Sequence, residues 1–444
     1  MFDIFSLSAS ELANHIKDAK ITSVELCKKY IERINKFEKE VKAWAHFDKK
    51  VLLEKAEEAD NYRRSGKPLG PLHGIPIALK DIIGTYDMPT ECGTVLRKGS
   101  RSQDAEIVDL LKSAGAIIMG KTATTEFAYY SPSKTTNPHD YSRTPGGSSS
   151  GSAAAIAAHM APLSIGSQTN GSTIRPASYC GIVGYKPSFG LISRNGVLKT
   201  SYNLDQIGLF GKKVEDVALL AKTLIKKDSY DPATVHYSAD TILEVCKKGP
   251  FFEPKFIFYK TNSWKKIDKK SREAFEFFIK TFKKNIEVFD VPSYFKDIFK
   301  YHQIIYETDM ANNLQVYYQK SKNKLSKEMQ SAISRGMKYS AKDYAEAIDF
   351  IKRSYDSYKE VFEDYHGILT PSSTGVAEKG LKSTGSPEFC TVWTFMGVPS
   401  ISLPLLQGEN NLPLGIQLIG DKYDDLRFLG IARWLEKKSE KHNE

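Results

Sequence analysis

Apolar residues recur at helical spacing in the first part of the chain. Two capping boxes of the form Ser/Thr-x-x-Glu, which begin at Ser8 and Thr22, mark helix starts there. After the second box, apolar side chains follow steps of three or four residues: Leu26, Tyr30, Ile31 and Ile34. The pattern predicts a helical layer over about residues 8–64.

A short apolar run over residues 71–81 has a different character. Gly74 and Pro76 interrupt it, and it ends in Lys80-Asp81. A run of this length bounded by such residues is typical of a buried strand rather than of a helix. We expect this strand to deliver Lys80 to a loop or cleft.

The second half of the chain contains a strand–helix–strand pattern. Residues 255–259 and 286–291 are strand-like, and residues 271–284 between them are helical. Such a βαβ unit predicts a parallel or mixed sheet with covering helices in one α/β domain. Other segments fit this architecture: helices over 105–113, 153–158 and about 305–363, and strands over 116–119, 367–370 and 399–405.

Composition narrows the function classes. The chain has 444 residues, is 41% hydrophobic and 26% charged, and carries a net charge of +10 (63 basic minus 53 acidic residues). Acidic residues alternate with lysines between residues 255 and 300, which favours a solvated surface over a nucleic-acid interface. The five cysteines are scattered without a C-x-x-C pair, so neither a zinc site nor a disulfide framework is expected. With no signal-like segment and no long apolar run, we expect a cytoplasmic protein without a membrane partner.

Two motifs suggest other functions. Residues 115–122 match the phosphate-loop pattern G-x-x-x-x-G-K-T, which would make Lys121 a nucleotide ligand. The gap between the two glycines is apolar and strand-like, which favours a structural role. Residues 147–151 match G-x-S-x-G, the nucleophile elbow of α/β hydrolases, but loop residues precede it and a catalytic histidine motif is missing.

Two glycine-serine stretches carry the chemistry that we favour. They span residues 145–152 and 166–175, and with Lys80 they offer two hydroxyls and one amine. Amide cleavage requires a nucleophile that loses its proton, donors for the oxyanion, and a proton for the leaving amine. A serine can be activated without histidine if a neighbouring lysine is neutral, which requires burial or a nearby positive charge.

From about residue 5 to 435 the sequence resembles the amidase signature family. The resemblance rests on several segments together: residues 74–81, 120–128, 145–152, 166–175, 180–188, 204–208 and 397–404. It implies one large domain over residues 1–444 with a mixed, mostly parallel central sheet covered by helices on both faces. Within it we expect a helical layer (about 5–64), a catalytic core (about 65–215) and a remainder (about 216–444) that completes the sheet and pocket.

The resemblance also implies catalytic roles. Ser172 corresponds to the nucleophile, Ser148 to the bridging serine that usually follows a cis peptide bond, and Lys80 to the base. The backbone amides that would form the oxyanion hole are those of Thr169, Asn170, Gly171 and Ser172. Neither a metal nor an organic cofactor is implied.

The chain departs from the family at Asn170, where glycine is usual. Asparagine tolerates positive φ, so we expect the loop to persist with a narrower pocket, although a distorted loop would leave a weak or repurposed enzyme. Arg175 either holds a substrate carboxylate or serves the structure. Tyr129, Tyr130 and Trp393 either line the substrate pocket or belong to the core.

The predicted function is hydrolysis of a small-molecule carboxylic amide by a stand-alone amidase. The alternative within the family is the A subunit of a tRNA-dependent amidotransferase, which acts as a glutaminase. The triple serine at 148–150 and the segment 167–176 favour the stand-alone enzyme. The identity of the amide, the need for partner subunits and the oligomeric state, including a homodimer, stay open at this point.

Overall fold

A computed structural model describes residues 3–443, except for the side chains of Asn262, His442 and Asn443. Its centre is an eleven-stranded sheet with the order β1-β3-β2-β4-β6-β5-β10-β11-β9-β7-β8. The strands are β1 Trp44–Phe47, β2 Pro76–Lys80, β3 Ile117–Thr122, β4 Leu163–Gln168, β5 Val183–Lys186, β6 Gln206–Gly211, β7 Phe256–Lys260, β8 Ile286–Asp290, β9 Gly367–Pro371, β10 Ser400–Gln407 and β11 Pro413–Ile419. This single sheet makes the chain one large α/β domain, as predicted.

The sheet is mixed. Parallel pairs join β2 to β3 and β4, and β7 to β8 and β9. The remaining neighbouring pairs are antiparallel and outnumber the parallel ones, so the expected parallel majority is not observed. The excess arises because β5, β6, β10 and β11, which have no βαβ sequence pattern, form the antiparallel middle of the sheet.

Helices cover the sheet. They are α1 Ala9–Lys17, α2 Ser23–Val41, α3 Lys49–Arg64, α4 Glu106–Ser113, α5 Ser150–Ala157, α6 Ile174–Cys180, α7 Val214–Leu224, α8 Ile242–Lys248, α9 Lys269–Thr281, α10 Phe295–Ser321, α11 Lys327–Gly336, α12 Ala341–Asp356, α13 Val361–Asp364, α14 Glu388–Met396 and α15 Asp425–Asn443. Every residue of β2, β3, β4, β6 and β9 is buried. Because successive side chains of a strand point to opposite faces, both faces of the sheet are covered at these strands.

Most predicted elements are present. Both predicted capping boxes form, at the starts of α1 and α2. The predicted βαβ unit is β7–α9–β8, with its two strands parallel. The predicted helical layer is interrupted by β1, which pairs with β3 and forms one edge of the sheet.

Of the helices in the described chain, none combines the length and the apolar character that a bilayer-spanning segment requires.

Candidate active site

Lys80 is the centre of a buried polar cluster. It ends β2, has no solvent exposure, and its Nζ lies 2.6 Å from Ser148 Oγ and 2.8 Å from Ser167 Oγ. Because β2 and β4 are parallel neighbours, their carboxyl ends meet at one edge of the sheet. The sheet therefore brings the Lys80 amine to one serine of each glycine-serine stretch, Ser148 and Ser167.

The first glycine-serine stretch is pinned to the end of β4. The Gly147–Ser148 peptide bond is cis, and α5 begins two residues later at Ser150. The Ser149 hydroxyl donates to the Ser167 carbonyl (3.2 Å) and accepts from the Ser167 amide (3.3 Å). These bonds hold the residue that follows Ser148 against the end of β4, beside Lys80.

Burial changes the acid–base behaviour of Lys80. Desolvation of the charged amine lowers its pKa from the ordinary value of 10.5 to about 7, although the nearby Asp205 carboxylate opposes the shift. With this pKa, about half of the Lys80 side chains are neutral at pH 7. A neutral amine can accept a proton from a hydroxyl, which an ammonium group cannot do.

Two further buried lysines clarify what is special about Lys80. Burial also lowers the pKa of Lys121 to about 8 and that of Lys186 to about 7. Lys121 donates to the Ile83 carbonyl (2.6 Å), and Lys186 donates to the Val398 carbonyl (2.5 Å). Carbonyl oxygens only accept, so they favour the protonated lysine, whereas a serine hydroxyl can also donate to a neutral amine. Lys121 also contacts the Thr90 hydroxyl, but that hydroxyl donates to the Ile83 carbonyl (3.4 Å). Of these three lysines, Lys80 is the one whose hydrogen-bond partners are all serine hydroxyls.

The same burial makes Lys121 unsuitable as a nucleotide ligand. Its side chain is fully buried, donates to Thr90 Oγ1 (2.7 Å) and lies 3.7 Å from the Asp81 carboxylate. The apolar residues before it belong to β3 rather than to a phosphate-binding turn. The nucleotide-binding alternative is therefore wrong, because strand geometry directs Lys121 into the interior.

Ser172 lies on the loop between β4 and α6, five residues after Ser167 along the chain, and is 9% exposed. Gln168 organises this loop, because its Oε1 accepts from the amides of Thr173 (2.8 Å) and Ile174 (3.0 Å). Within the described chain, by contrast, the amides of Asn170, Gly171 and Ser172 have no hydrogen-bond acceptor. These three N–H groups are available to a substrate oxygen.

The start of the loop is held by residues distant in sequence. The His302 Nε2–H donates to the Thr169 carbonyl (2.9 Å), and burial lowers the pKa of His302 to about 4, so the ring is neutral at pH 7. The Thr169 hydroxyl donates to Asp205 Oδ1 (2.7 Å). His302 and Asp205 therefore anchor the predicted oxyanion loop, a role that the sequence did not indicate for either residue.

Asn170 is tied to both sides of the loop. Its Nδ2 donates to the Tyr130 hydroxyl (3.1 Å), and its Oδ1 accepts from the Thr391 hydroxyl (2.7 Å). The Thr394 hydroxyl donates to the backbone carbonyl of Asn170 (2.5 Å). Asn170 does not have a positive φ. The loop therefore does not depend on the tolerance of asparagine for positive φ.

A cavity of about 650 Å³ adjoins Asn170. Its lining combines aromatic side chains, among them Tyr129, Tyr130, Phe299 and Tyr306, with polar and charged ones, among them Glu307 and Arg335. Arg335 Nη2 donates to Glu307 Oε1 (2.6 Å), and Glu307 is buried. The cavity is large enough for a small molecule.

The Arg175 guanidinium donates hydrogen bonds to two backbone carbonyls. Its Nε donates to the Thr384 carbonyl (2.6 Å) and its Nη2 donates to the Gly147 carbonyl (2.8 Å). A two-point grip on a substrate carboxylate would require at least one of these bonds to break, since only Nη1 has no acceptor within the described chain. The contact with Gly147 makes Arg175 a support for the segment that carries Ser148.

The aromatic candidates occupy different places. Tyr129 lines the cavity, with its ring 4.6 Å from that of Tyr130. Trp393 is 1% exposed and packs against Phe295 and Tyr358. The structure does not bring Trp393 to this cavity, because the helical spacing of α14 turns its ring into the core.

Ser167 is a functional candidate that sequence reasoning missed. It belongs to the second glycine-serine stretch, but the sequence does not reveal that the Ser167 hydroxyl contacts Lys80.

As for metal binding, the described chain contains no cluster of three or more His, Cys, Asp or Glu side chains arranged to hold an ion.

Comparisons with known proteins identify a family. The family model described as Amidase matches residues 25–429. The chain is 31% identical to the A subunit of glutamyl-tRNA(Gln) amidotransferase from Sulfurihydrogenibium sp. (strain YO3AOP1), and the alignment covers 99% of each chain. It is 32% identical to the protein of the same name from Alkaliphilus metalliredigens (strain QYMF), covering 94% of each. These relatives give no support to the preference for a stand-alone amidase.

Solved structures share the fold. One, from an unexpected vestigial protein complex linked to the origins of an s-triazine catabolic enzyme, superimposes with a TM-score of 0.90 at 25% identity over 97% of this chain and 98% of that one. The peptide amidase of Stenotrophomonas maltophilia superimposes with a TM-score of 0.86 at 24% identity over 98% and 97%. At this identity the second likeness concerns the fold alone.

Proposed function

Since the chain belongs to the Amidase family and is an amide-hydrolysing enzyme, we propose that hydrolysis proceeds through an acyl-enzyme on Ser172. The substrate class we propose is a small linear carboxylic amide. The products are the carboxylic acid and ammonia or an amine. The observation that carries the proposal is the buried contact of 2.6 Å between Lys80 Nζ and Ser148 Oγ.

Acylation begins with a neutral Lys80. The amine takes the proton of the Ser148 hydroxyl while Ser148 takes that of Ser172, whose Oγ bonds to the carbonyl carbon of the substrate. The carbonyl π electrons move to oxygen, and the free amides of Asn170, Gly171 and Ser172 stabilise the resulting charge. Collapse of the intermediate breaks the C–N bond, and the leaving nitrogen receives the proton through Ser148 from Lys80.

Deacylation repeats these steps with water. A water molecule attacks the ester carbon and transfers its proton through Ser148 to Lys80. The C–Oγ bond then breaks, Ser172 recovers its proton, and the acid leaves. Ser167 and Arg175 are positioning residues in this scheme: Ser167 contacts the amine of Lys80, and Arg175 holds the Gly147 carbonyl beside Ser148.

The direct test is ammonia release by the purified chain alone. A panel of aliphatic, aromatic, ureido and carboxylated primary amides should include at least one substrate that is turned over without added protein. The cavity beside Asn170 has a volume of about 650 Å³, which is enough for a bulky acyl group. We therefore expect better turnover of amides with bulky acyl groups than of acetamide. Lack of ammonia from the entire panel would contradict the stand-alone proposal.

A second candidate function is suggested by the amidotransferase relatives, which match this chain over its full length. In that case glutamine would be the amide, and partner subunits would use the ammonia. Glutamine hydrolysis that appears only after partner subunits are added would favour this candidate. Equal turnover of simple amides with and without them would exclude it.

The pH dependence of kcat/KM should follow the protonation of Lys80. Because burial lowers the pKa of Lys80 to about 7, the neutral base is lost as the pH falls through 7. We expect kcat/KM to fall about tenfold per pH unit below pH 6 and to level off above pH 8. Steady-state rates between pH 5 and 9, with circular dichroism at each pH to confirm the fold, measure this. A profile that stays flat down to pH 5 would contradict a neutral lysine base.

A further inference from the structure

The Asn170 carboxamide has one bond on each of its two polar atoms. Its Nδ2 donates to Tyr130 and its Oδ1 accepts from Thr391. Both partners line the cavity, as Asn170 itself does. The bond from Thr394 to the Asn170 carbonyl fixes the backbone as well. The Asn170 side chain is therefore held in one orientation in the wall of the cavity. It lies two positions before Ser172 in the sequence.

Hydrogen-bond capacity remains at this point. An amide nitrogen has two hydrogens, of which Nδ2 uses one on Tyr130. A phenol that accepts a bond still has its own hydrogen to donate, and within the described chain the Tyr130 hydroxyl has no acceptor. Asn170 and Tyr130 thus leave two donors without acceptors in the wall of the cavity.

Donors without an acceptor in the wall of a binding cavity have a selective effect. An apolar group placed against them would remove their water without replacing it, which costs binding free energy. A group with an acceptor oxygen would satisfy them. A site built to bond a polar group therefore discriminates against the analogue that lacks it.

We propose that Asn170 is a specificity-determining residue that, together with the Tyr130 hydroxyl, binds a second carbonyl-type oxygen of the substrate. This oxygen is separate from that of the scissile amide, which the backbone amides receive. The inference rests on the proposed hydrolytic function and narrows its substrates to amides that carry a further carbonyl in the acyl group. Thr391 is a positioning residue, because it orients the Asn170 carboxamide through Oδ1.

The test uses pairs of substrates that differ in one oxygen. Each pair is a primary keto amide and the alkene in which a methylene group replaces the keto oxygen, with the keto group placed two to five carbons from the amide. For the best pair, we expect the wild-type enzyme to favour the keto amide by about tenfold in kcat/KM, the size of effect of one or two neutral hydrogen bonds. No preference in any pair would overturn the proposal.

Variants then assign the preference to these side chains. In Asn170→Gly and in Tyr130→Phe the ratio of kcat/KM for keto amide over alkene should fall toward one. In Asn170→Asp, which replaces the donating nitrogen with an acceptor oxygen, it should fall to one or below. Tyr355→Phe is the matched control, because the Tyr355 hydroxyl donates to Asp421 and does not line the cavity. Ratios that stay at the wild-type value in Asn170→Gly or Asn170→Asp would overturn the proposal.

Binding separates this inference from the proposed function. Dissociation constants of the same pairs for Ser172→Ala and for Ser172→Ala/Asn170→Gly can be measured by calorimetry without turnover. A keto preference in the first protein that is lost in the second supports the role of Asn170 even if the wild-type chain hydrolyses none of the amides. Equal affinities for both members of each pair in Ser172→Ala would overturn it.

Discussion

Replacing Ser172 with alanine should lower kcat by at least about 10⁴-fold for every amide that the enzyme hydrolyses, the scale seen when a serine nucleophile is removed. The loss is large because the acyl-enzyme can no longer form, whereas the oxyanion donors and the cavity remain. Substrate should still bind, so its dissociation constant should stay within a few-fold of the wild-type KM. Initial rates of ammonia release measure the loss of kcat, and calorimetric titration of Ser172→Ala with substrate measures the dissociation constant.

The matched control is Ser164→Ala. Ser164 is a fully buried serine of β4 whose hydroxyl has no hydrogen-bond partner in the described structure. Its replacement should leave kcat close to that of the wild type, since it removes a hydroxyl without a bond. An acyl adduct on wild-type protein, with a mass equal to that of the substrate minus the released ammonia or amine, and absent in Ser172→Ala, would identify the nucleophile. Residual turnover in Ser172→Ala within tenfold of the wild-type rate would show that another group attacks the amide.

Replacing Lys80 with methionine should lower kcat/KM by about 10³-fold or more, while the folded protein remains. The base that receives the proton is lost, whereas the hydroxyls of Ser148 and Ser167 stay in place. Lys80→Met should also lower the free energy of unfolding by roughly 1–3 kcal/mol, because the buried hydroxyls of Ser148 and Ser167 lose their contact with the amine. Rates and urea denaturation curves give the two quantities for the same preparation.

Lys186→Met is the matched control, because it should cost a similar amount of stability without a loss of catalysis. Lys186 is also fully buried, but it donates to the Val398 carbonyl (2.5 Å) and to Gln206 Oε1 (2.7 Å), which would be left without a donor. We expect a loss of roughly 1–3 kcal/mol in the free energy of unfolding, with the folded fraction retaining its kcat. If Lys80→Met retained a near-normal rate, or if Lys186→Met lost the rate without losing stability, the assignment of the base to Lys80 would be wrong.

Local sequence signals predicted much of the fold because their causes are local. Capping boxes act over three residues, and both predicted boxes form. Apolar periodicity and βαβ spacing identified the helical layer and the parallel pair β7 and β8. The antiparallel centre escaped prediction because some of its pairs, such as β5 with β10, join strands far apart in sequence, and short buried strands have no periodicity of their own.

For the site, the residue types and their motifs were sufficient to select Lys80, Ser148 and Ser172. The buried contact between Lys80 and Ser148 agrees with that selection, although it joins residues 68 positions apart. The same motifs could not assign Arg175 or Trp393. The side-chain partners of these two residues depend on which neighbouring segment approaches them, and that is set by the path of the whole chain.

The sequence by itself determined the family and the α/β class, and it predicted Lys80, Ser148 and Ser172 as the reacting groups, because these depend on residue identity and on spacing within short segments. Only the tertiary structure decided that Ser167 contacts Lys80 across 87 positions, that His302 holds Thr169 across 133, and that Thr391 orients Asn170 across 221. Such contacts are fixed when strands pair and helices pack, since packing brings distant segments within hydrogen-bond distance and removes the water around them. The lowered pKa of Lys80 has the same origin, because the surrounding chain, not the residue, excludes the solvent.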